Sequence, residues 1–230
     1  MREMHTWSKA DHPHVLKLLG VAQYQDRLAM VSPWVEHGTV LQYIKAHVET
    51  DCLALCTQVA DGLAYLHSIP LAHGDIKAEN VLISREGTAL LADFGGAKLG
   101  ECSLEFSGSQ PDYGSPHYQA PEYFDGRGPT PQADVYALAV TIVTILSGGS
   151  VPKRTVGGVP KRPPLPILGS NAGSDILQSL LNCWQADPQQ RPSATDIYQE
   201  MKKVTGERRQ LQSRESTTAA TAPEDNSADV

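Results

Sequence analysis

Two short apolar runs, Val81-Leu82-Ile83 and Ala89-Leu90-Leu91-Ala92, are joined by Ser84-Arg85-Glu86-Gly87-Thr88. Short apolar runs flanking a glycine-containing loop predict a β-hairpin. An antiparallel hairpin returns the chain to where it began, so whatever precedes the first run must meet whatever follows the second. Before the first stands His73-Gly74-Asp75-Ile76-Lys77-Ala78-Glu79-Asn80, and after the second stands Asp93-Phe94-Gly95. The spacing therefore predicts that Asn80 and Asp93 lie side by side, close to Asp75 and Lys77. Two oxygen ligands beside a carboxylate and an ammonium suit Mg²⁺ and a phosphate. A carboxylate at Asp75 is suited to orient and deprotonate a hydroxyl nucleophile.

Around this hairpin the chain reads as mostly helical. Met4, Trp7 and Ala10 recur at helical spacing over 1–11, and Pro13 ends that helix. Residues 15–19 and 28–31 are strand candidates, and Ser32-Pro33 and Glu36-His37-Gly38 break the run. Thr39 is suited to cap a short helix through Lys45. The clearest amphipathic helix covers 51–67, with Asp51 as its cap and Cys52, Leu55, Cys56, Val59, Leu63 and Leu66 on one face. The apolar stretch 135–146 is interrupted by Thr141 and Thr144 and falls short of the ~20 residues a membrane span needs. It reads as a buried helix within 133–147. Two more helices are expected at 174–186 and 193–204. Residues 95–131 form a long irregular segment, and 148–173 are rich in Gly and Pro. After Gly206 the chain is polar, and a disordered tail is expected over 206–230.

Charge and cysteine usage narrow the function classes. With 19 basic against 26 acidic residues, the net charge of -7 supplies no basic footprint for nucleic acid or an anionic membrane face. The N-terminus has no apolar signal region. The four cysteines lack zinc-ligand spacing, and free thiols fit a cytoplasmic location.

The motifs together resemble those of eukaryotic protein kinases, specifically the tyrosine-kinase-like group that mostly modifies Ser and Thr. The run 73–80 is similar to the catalytic loop and Asp93-Phe94-Gly95 to the metal-binding motif. Gly114-Ser115-Pro116-His117-Tyr118-Gln119-Ala120-Pro121-Glu122 is similar to the end of the activation segment. Asp134-Val135-Tyr136, Cys183-Trp184, Asp187-Pro188 and Arg191-Pro192-Ser193 complete a match over about residues 3–204. The resemblance implies an α+β protein-kinase-like fold: a mainly helical C-lobe over 39–205, a hinge at 32–38, and a remnant N-lobe over 1–31 comprising one helix and two strands.

It also implies roles, residue by residue. Asp75 would be the catalytic base and Lys77 would hold the transferred phosphate of ATP. Asn80 and Asp93 would hold Mg²⁺. Leu82 would floor the adenine pocket, Val35 would lie in the adenine-facing hinge Pro33-Trp34-Val35, and Ser32 falls at the gatekeeper position. Asp134, with His73, would support the catalytic loop, and Glu122 and Arg191 would form a buried structural ion pair. The implied partners are ATP and a protein substrate or partner. Small-molecule kinases share the spacing from Asp75 to Asn80, but Lys77, Phe94-Gly95 and Ala120-Pro121-Glu122 favour the protein kinases.

Two departures from the pattern shape the expectation. Gly74 replaces the arginine usual in the catalytic loop. Glu3 aligns with the helix glutamate, yet only Met1 and Arg2 precede it, and no Gly-x-Gly-x-x-Gly occurs. Weak nucleotide binding and little turnover are therefore expected. A kinase-like binding module, or a piece of a longer product, is the alternative reading.

Overall fold

The computed structural model describes residues 10–24, 27–93, 98–99, 102–103, 116–125, 128–153 and 171–220. The expected helix over 1–11 with Glu3, the pair Phe94-Gly95, and Gly114-Ser115 lie outside these described residues, Ala10 and Asp11 excepted. The elements run β1 (Gly20–Tyr24), β2 (Arg27–Val31), α1 (Val40–Ala46), α2 (Cys52–Ser68), β3 (Leu71–Ala72), β4 (Val81–Ile83) and β5 (Ala89–Leu91). They continue through β6 (Lys98–Leu99), β7 (Cys102–Ser103), α3 (Pro131–Leu146), α4 (Asn171–Asn182) and α5 (Ala194–Ala220).

Local chemistry accounts for the helix starts. Thr39 and Gln42 form a reciprocal capping box: the Thr39 hydroxyl accepts from the Gln42 N–H, and the Gln42 side chain accepts from the Thr39 N–H at 2.9 Å. Asp51 caps α2 by accepting from the Ala54 N–H at 3.1 Å. Thr130 does the same for α3 through Ala133, with Pro131 just inside the helix. That cap starts α3 two residues before the expected 133, because proline's fixed φ suits the first helical turn.

The core gathers around α2 and α3. From Ala133 through Leu146 every residue of α3 is buried, as an all-round apolar helix must be. Thr141 and Thr144 are tolerated there because each hydroxyl donates to the carbonyl four residues earlier, Ala137 and Val140. α2 buries Leu53, Leu55, Cys56, Val59, Leu63 and Leu66 and packs against α5 and α3. Gly62, also buried in α2, lets the backbone at His14 approach: a Cβ there would sit 2.5 Å from the His14 carbonyl oxygen. Gly62→Ala should therefore cost about 1–3 kcal/mol of overpacking, against about 1 kcal/mol of helix propensity gained. The expected result is a lower urea midpoint. An unchanged or raised midpoint would show that the segment around His14 yields freely.

The sheets are small. β1 pairs antiparallel with β2, β3 with β6 and β6 with β7. β4 pairs antiparallel with β5 in the register Val81↔Leu91, Leu82↔Leu90, Ile83↔Ala89, as the hairpin reading requires.

Two expectations need correction. Residues 15–19 are not a strand. Val15 makes a single parallel bridge to Leu91, and the strand begins at Gly20. The cause is divided pairing: Leu16 N–H donates to Leu91 while Leu19 N–H donates to Val31, so no continuous ladder forms. The chain after Gly206 does not leave the helix at once, since α5 continues to Ala220. Its docked first half, with Ile197, Met201 and Val204 buried, supplies the nucleus. The Glu, Arg, Gln and Leu residues after Gly206 are good helix formers that propagate it. Among the described residues no helix is long and apolar enough to cross a membrane.

Candidate functional site

The loop between β3 and β4 is built around one buried carboxylate. Asp134, in the first turn of α3 and 2% exposed, accepts from the His73 N–H at 2.7 Å and from the Gly74 N–H at 2.9 Å. His67, at the end of α2, reaches the same carboxylate at 3.0 Å. Gly74 has φ 80°, a conformation open to glycine without a Cβ penalty. Its carbonyl accepts from the Tyr123 hydroxyl at 3.3 Å. Burial first, and the nearby Asp134 carboxylate second, push the Tyr123 phenol far above its ordinary range, so it acts as a donor.

His73 is fully buried and holds the loop from the inside. Its Nδ1 accepts from the Asp75 N–H at 3.3 Å, so its Nε2 carries the proton and donates to the Ala92 carbonyl at 3.1 Å. Burial lowers its pKa, which keeps the ring neutral and this tautomer in place. The bond to Ala92 also ties the loop to the far end of the hairpin.

Asp75 then receives two donors on one oxygen. Its Oδ2 accepts from Lys77 Nζ at 2.6 Å and from Asn80 Nδ2 at 2.8 Å, and Asn80 Nδ2 also donates to the Asp75 carbonyl at 2.8 Å. Just beyond the paired residues of the hairpin, the Ala92 N–H donates to the Asn80 carbonyl at 2.9 Å. Asp93 follows directly. It is exposed, and with φ 62° it is the only non-glycine among the described residues at positive φ. Asp tolerates that region better than most residues, at a cost of order 1–3 kcal/mol.

Asn80 and Asp93 border one cleft of about 350 Å³. Leu82 lines it from β4, Met30 and Ser32 from the end of β2 and just beyond, and Leu16, Lys17 and Leu18 form a further wall. Asp75 and Lys77 do not line it, and connect to it through Asn80. Val35 is half-buried and does not line it either. Its segment runs beside β4, where the Ile83 N–H donates to the Gly38 carbonyl at 2.9 Å.

Glu122 and Arg191 meet away from the cleft in a bidentate pair, with Nη1 to Oε1 at 2.6 Å and Nη2 to Oε2 at 2.8 Å. The guanidinium also donates to the Gln185 and Gln132 carbonyls and lies 5.2 Å from the centre of the Tyr136 ring. This knot ties the Pro121–Asp125 turn to the start of α3 and to the turn before α5.

A protein tyrosine and serine/threonine kinase family model matches residues 1–201. The chain belongs to this protein kinase family. The chain is 32% identical over 210 residues to a probable serine/threonine-protein kinase of Dictyostelium discoideum, covering 86% of this chain and 41% of the relative. It is 28% identical to the mitogen-activated protein kinase kinase kinase 2 of Arabidopsis thaliana, covering 90% and 33%. It is 33% identical to the cell division control protein 7 of Schizosaccharomyces pombe, covering 79% and 17%. The chain thus spans less than half the length of these relatives. Its mixed helix and strand content agrees with a kinase-like α+β fold.

Among the residues of the candidate site that sequence reasoning passed over are His67, Tyr123 and Lys17. His67 carries no local pattern that announces its contact with Asp134, nor Tyr123 one that announces its bond to Gly74. Lys17 lies inside a run read as a strand, where alternation says nothing about a cleft.

Proposed function

We propose that the chain carries out ATP-dependent phosphoryl transfer to Ser and Thr hydroxyls of proteins, as a kinase of the tyrosine-kinase-like group. In this reading β1 and β2 belong to the N-lobe, 32–38 is the hinge, and 39–205 is the C-lobe. The observation that carries it is the environment of Asp75. One carboxylate oxygen is occupied by Lys77 and Asn80, which leaves Oδ1 to accept the proton of an incoming hydroxyl.

The residues fit magnesium and a nucleotide. Asn80 commits its amide nitrogen to Asp75, so its oxygen is the atom left for a cation. Asp93 brings a carboxylate to the same cleft, and hard oxygen donors suit Mg²⁺. When bound, the metal would offset phosphate charge. Leu82 and Met30 offer apolar surface to a base, and Ser32, at the neck of the hinge, borders it. Asp75 orients the acceptor hydroxyl and takes its proton. Lys77 holds Asp75 in position and supplies positive charge next to the reacting phosphate. Asp134 acts at a distance, since its bonds to the His73 and Gly74 N–H groups set where Asp75 stands.

Calorimetric titration of the full chain with Mg·ATP tests the reading. Asp93→Asn is expected to weaken Mg·ATP binding by about tenfold or more while leaving adenosine unaffected, because each ~1.4 kcal/mol of lost interaction is tenfold. Equal Mg·ATP affinity in both proteins would remove Asp93 from the metal site. A second reading, a partner-binding kinase-like module, is favoured by the exposure of Leu19, Tyr24 and Trp34, at 60%, 66% and 86%. Transfer of phosphate to a Ser/Thr peptide by the full chain distinguishes the two.

A further inference from the structure

We propose that Lys17 is a further residue that meets the phosphates of a nucleotide bound in the cleft, a role that rests on the nucleotide reading above, in which Lys77 stands beside the transferred phosphate. Among the described residues that line the cleft, Lys17 is the only lysine or arginine, and the same lining holds Glu79 and Asp93. With Asp93 engaged by the metal, a polyphosphate entering the cleft still meets the like charge of Glu79, which a nearby ammonium would offset. Lys77, the other lysine near the site, is held by Asp75 at 2.6 Å and does not line the cleft. Lys17 is exposed and forms no ion pair among the described residues.

The segment that bears it is firmly held. Leu16 N–H donates to Leu91 at 2.8 Å and Leu19 N–H donates to Val31 at 2.8 Å, so the backbone is pinned on either side of Lys17. Leu18 is buried, and Leu16 and Leu18 border the cleft together with Lys17. The backbone of the wall is therefore tied on either side of an exposed lysine side chain. This is the arrangement in which a lysine acts as a movable point charge toward phosphate. The pinning bond to Leu91 also couples Lys17 to β5, two residues before Asp93, so the metal-holding side chain and the ammonium share one support.

The test is titration of the full chain and of Lys17→Met and Lys17→Arg with Mg·ATP and, separately, with adenosine. Lys17→Met is expected to weaken Mg·ATP about tenfold, the size of a lost charged hydrogen bond. Adenosine affinity should stay unchanged, and Lys17→Arg should retain most of the Mg·ATP affinity. Unchanged Mg·ATP binding by Lys17→Met overturns the assignment while leaving the nucleotide reading intact. Equal losses for Mg·ATP and adenosine also overturn it, because they would mark a packing role. If the unmodified chain binds neither ligand, the nucleotide reading fails and the role of Lys17 fails with it.

Discussion

Removing the Glu122 carboxylate by Glu122→Ala is expected to lower unfolding free energy by about 3–5 kcal/mol. The pair it forms with Arg191 is bidentate and almost wholly buried. Without Glu122 the guanidinium keeps the Gln185 and Gln132 carbonyls and the Tyr136 ring, yet none of these neutral groups cancels its charge. A loss of this size is a large share of the roughly 5–15 kcal/mol by which a domain is stable. Glu122→Gln keeps an oxygen to accept a hydrogen bond and should lose less. Urea unfolding gives the comparison through the midpoint at constant slope. A loss under about 1 kcal/mol would mean that water reaches the pair and screens it as at a surface.

Asp75→Asn is expected to reduce phosphoryl transfer to a Ser/Thr peptide by about 10²–10⁴-fold, the contribution typical of a positioned general base. The amide matches the carboxylate in shape, so the bonds of Asp134 to the loop backbone should persist. It cannot take the proton of the acceptor hydroxyl, and it releases Lys77 from its 2.6 Å ion pair. Mg·ATP affinity should change by less than about twofold, because Asp75 does not line the cleft. The split between transfer and binding is the informative readout. A mutant that transfers phosphate at nearly the original rate would place the proton acceptor elsewhere. A mutant that loses nucleotide binding equally would make Asp75 a support for Asn80 rather than a base.

Much of this architecture was legible because it is local. Thr39 and Asp51 announce α1 and α2 through donors only a few positions away. The β4–β5 hairpin follows from two apolar runs and one glycine-containing turn, and its geometry alone brings Asn80 toward Asp93. The run 15–19 has the same apolar look as a strand, yet its N–H groups are divided between Leu91 and Val31. Composition after Gly206 argued for disorder, but a helix anchored by Ile197, Met201 and Val204 carries onward through residues of high propensity.

The candidate site divides along the same line. Asp75, Lys77 and Asn80 lie within six consecutive positions, and their mutual bonds need only a tight loop. What holds that loop comes from afar: Asp134 from α3, itself met by His67 from α2, and Tyr123 from the turn before α3. None of these contacts leaves a periodic trace, because side chains brought together across separate elements share no spacing. Lys17 joins the cleft for the same reason, through two backbone bonds to different strands.

The order of residues by itself determined the helices with their caps, the hairpin, and the chemical types gathered at its open end, since each depends on neighbours within a few bonds. Only the tertiary structure decided which carboxylate holds the loop, which lysine borders the cleft and which is tied down. Those outcomes depend on how buried α2 and α3 pack, and packing joins groups that the chain keeps far apart.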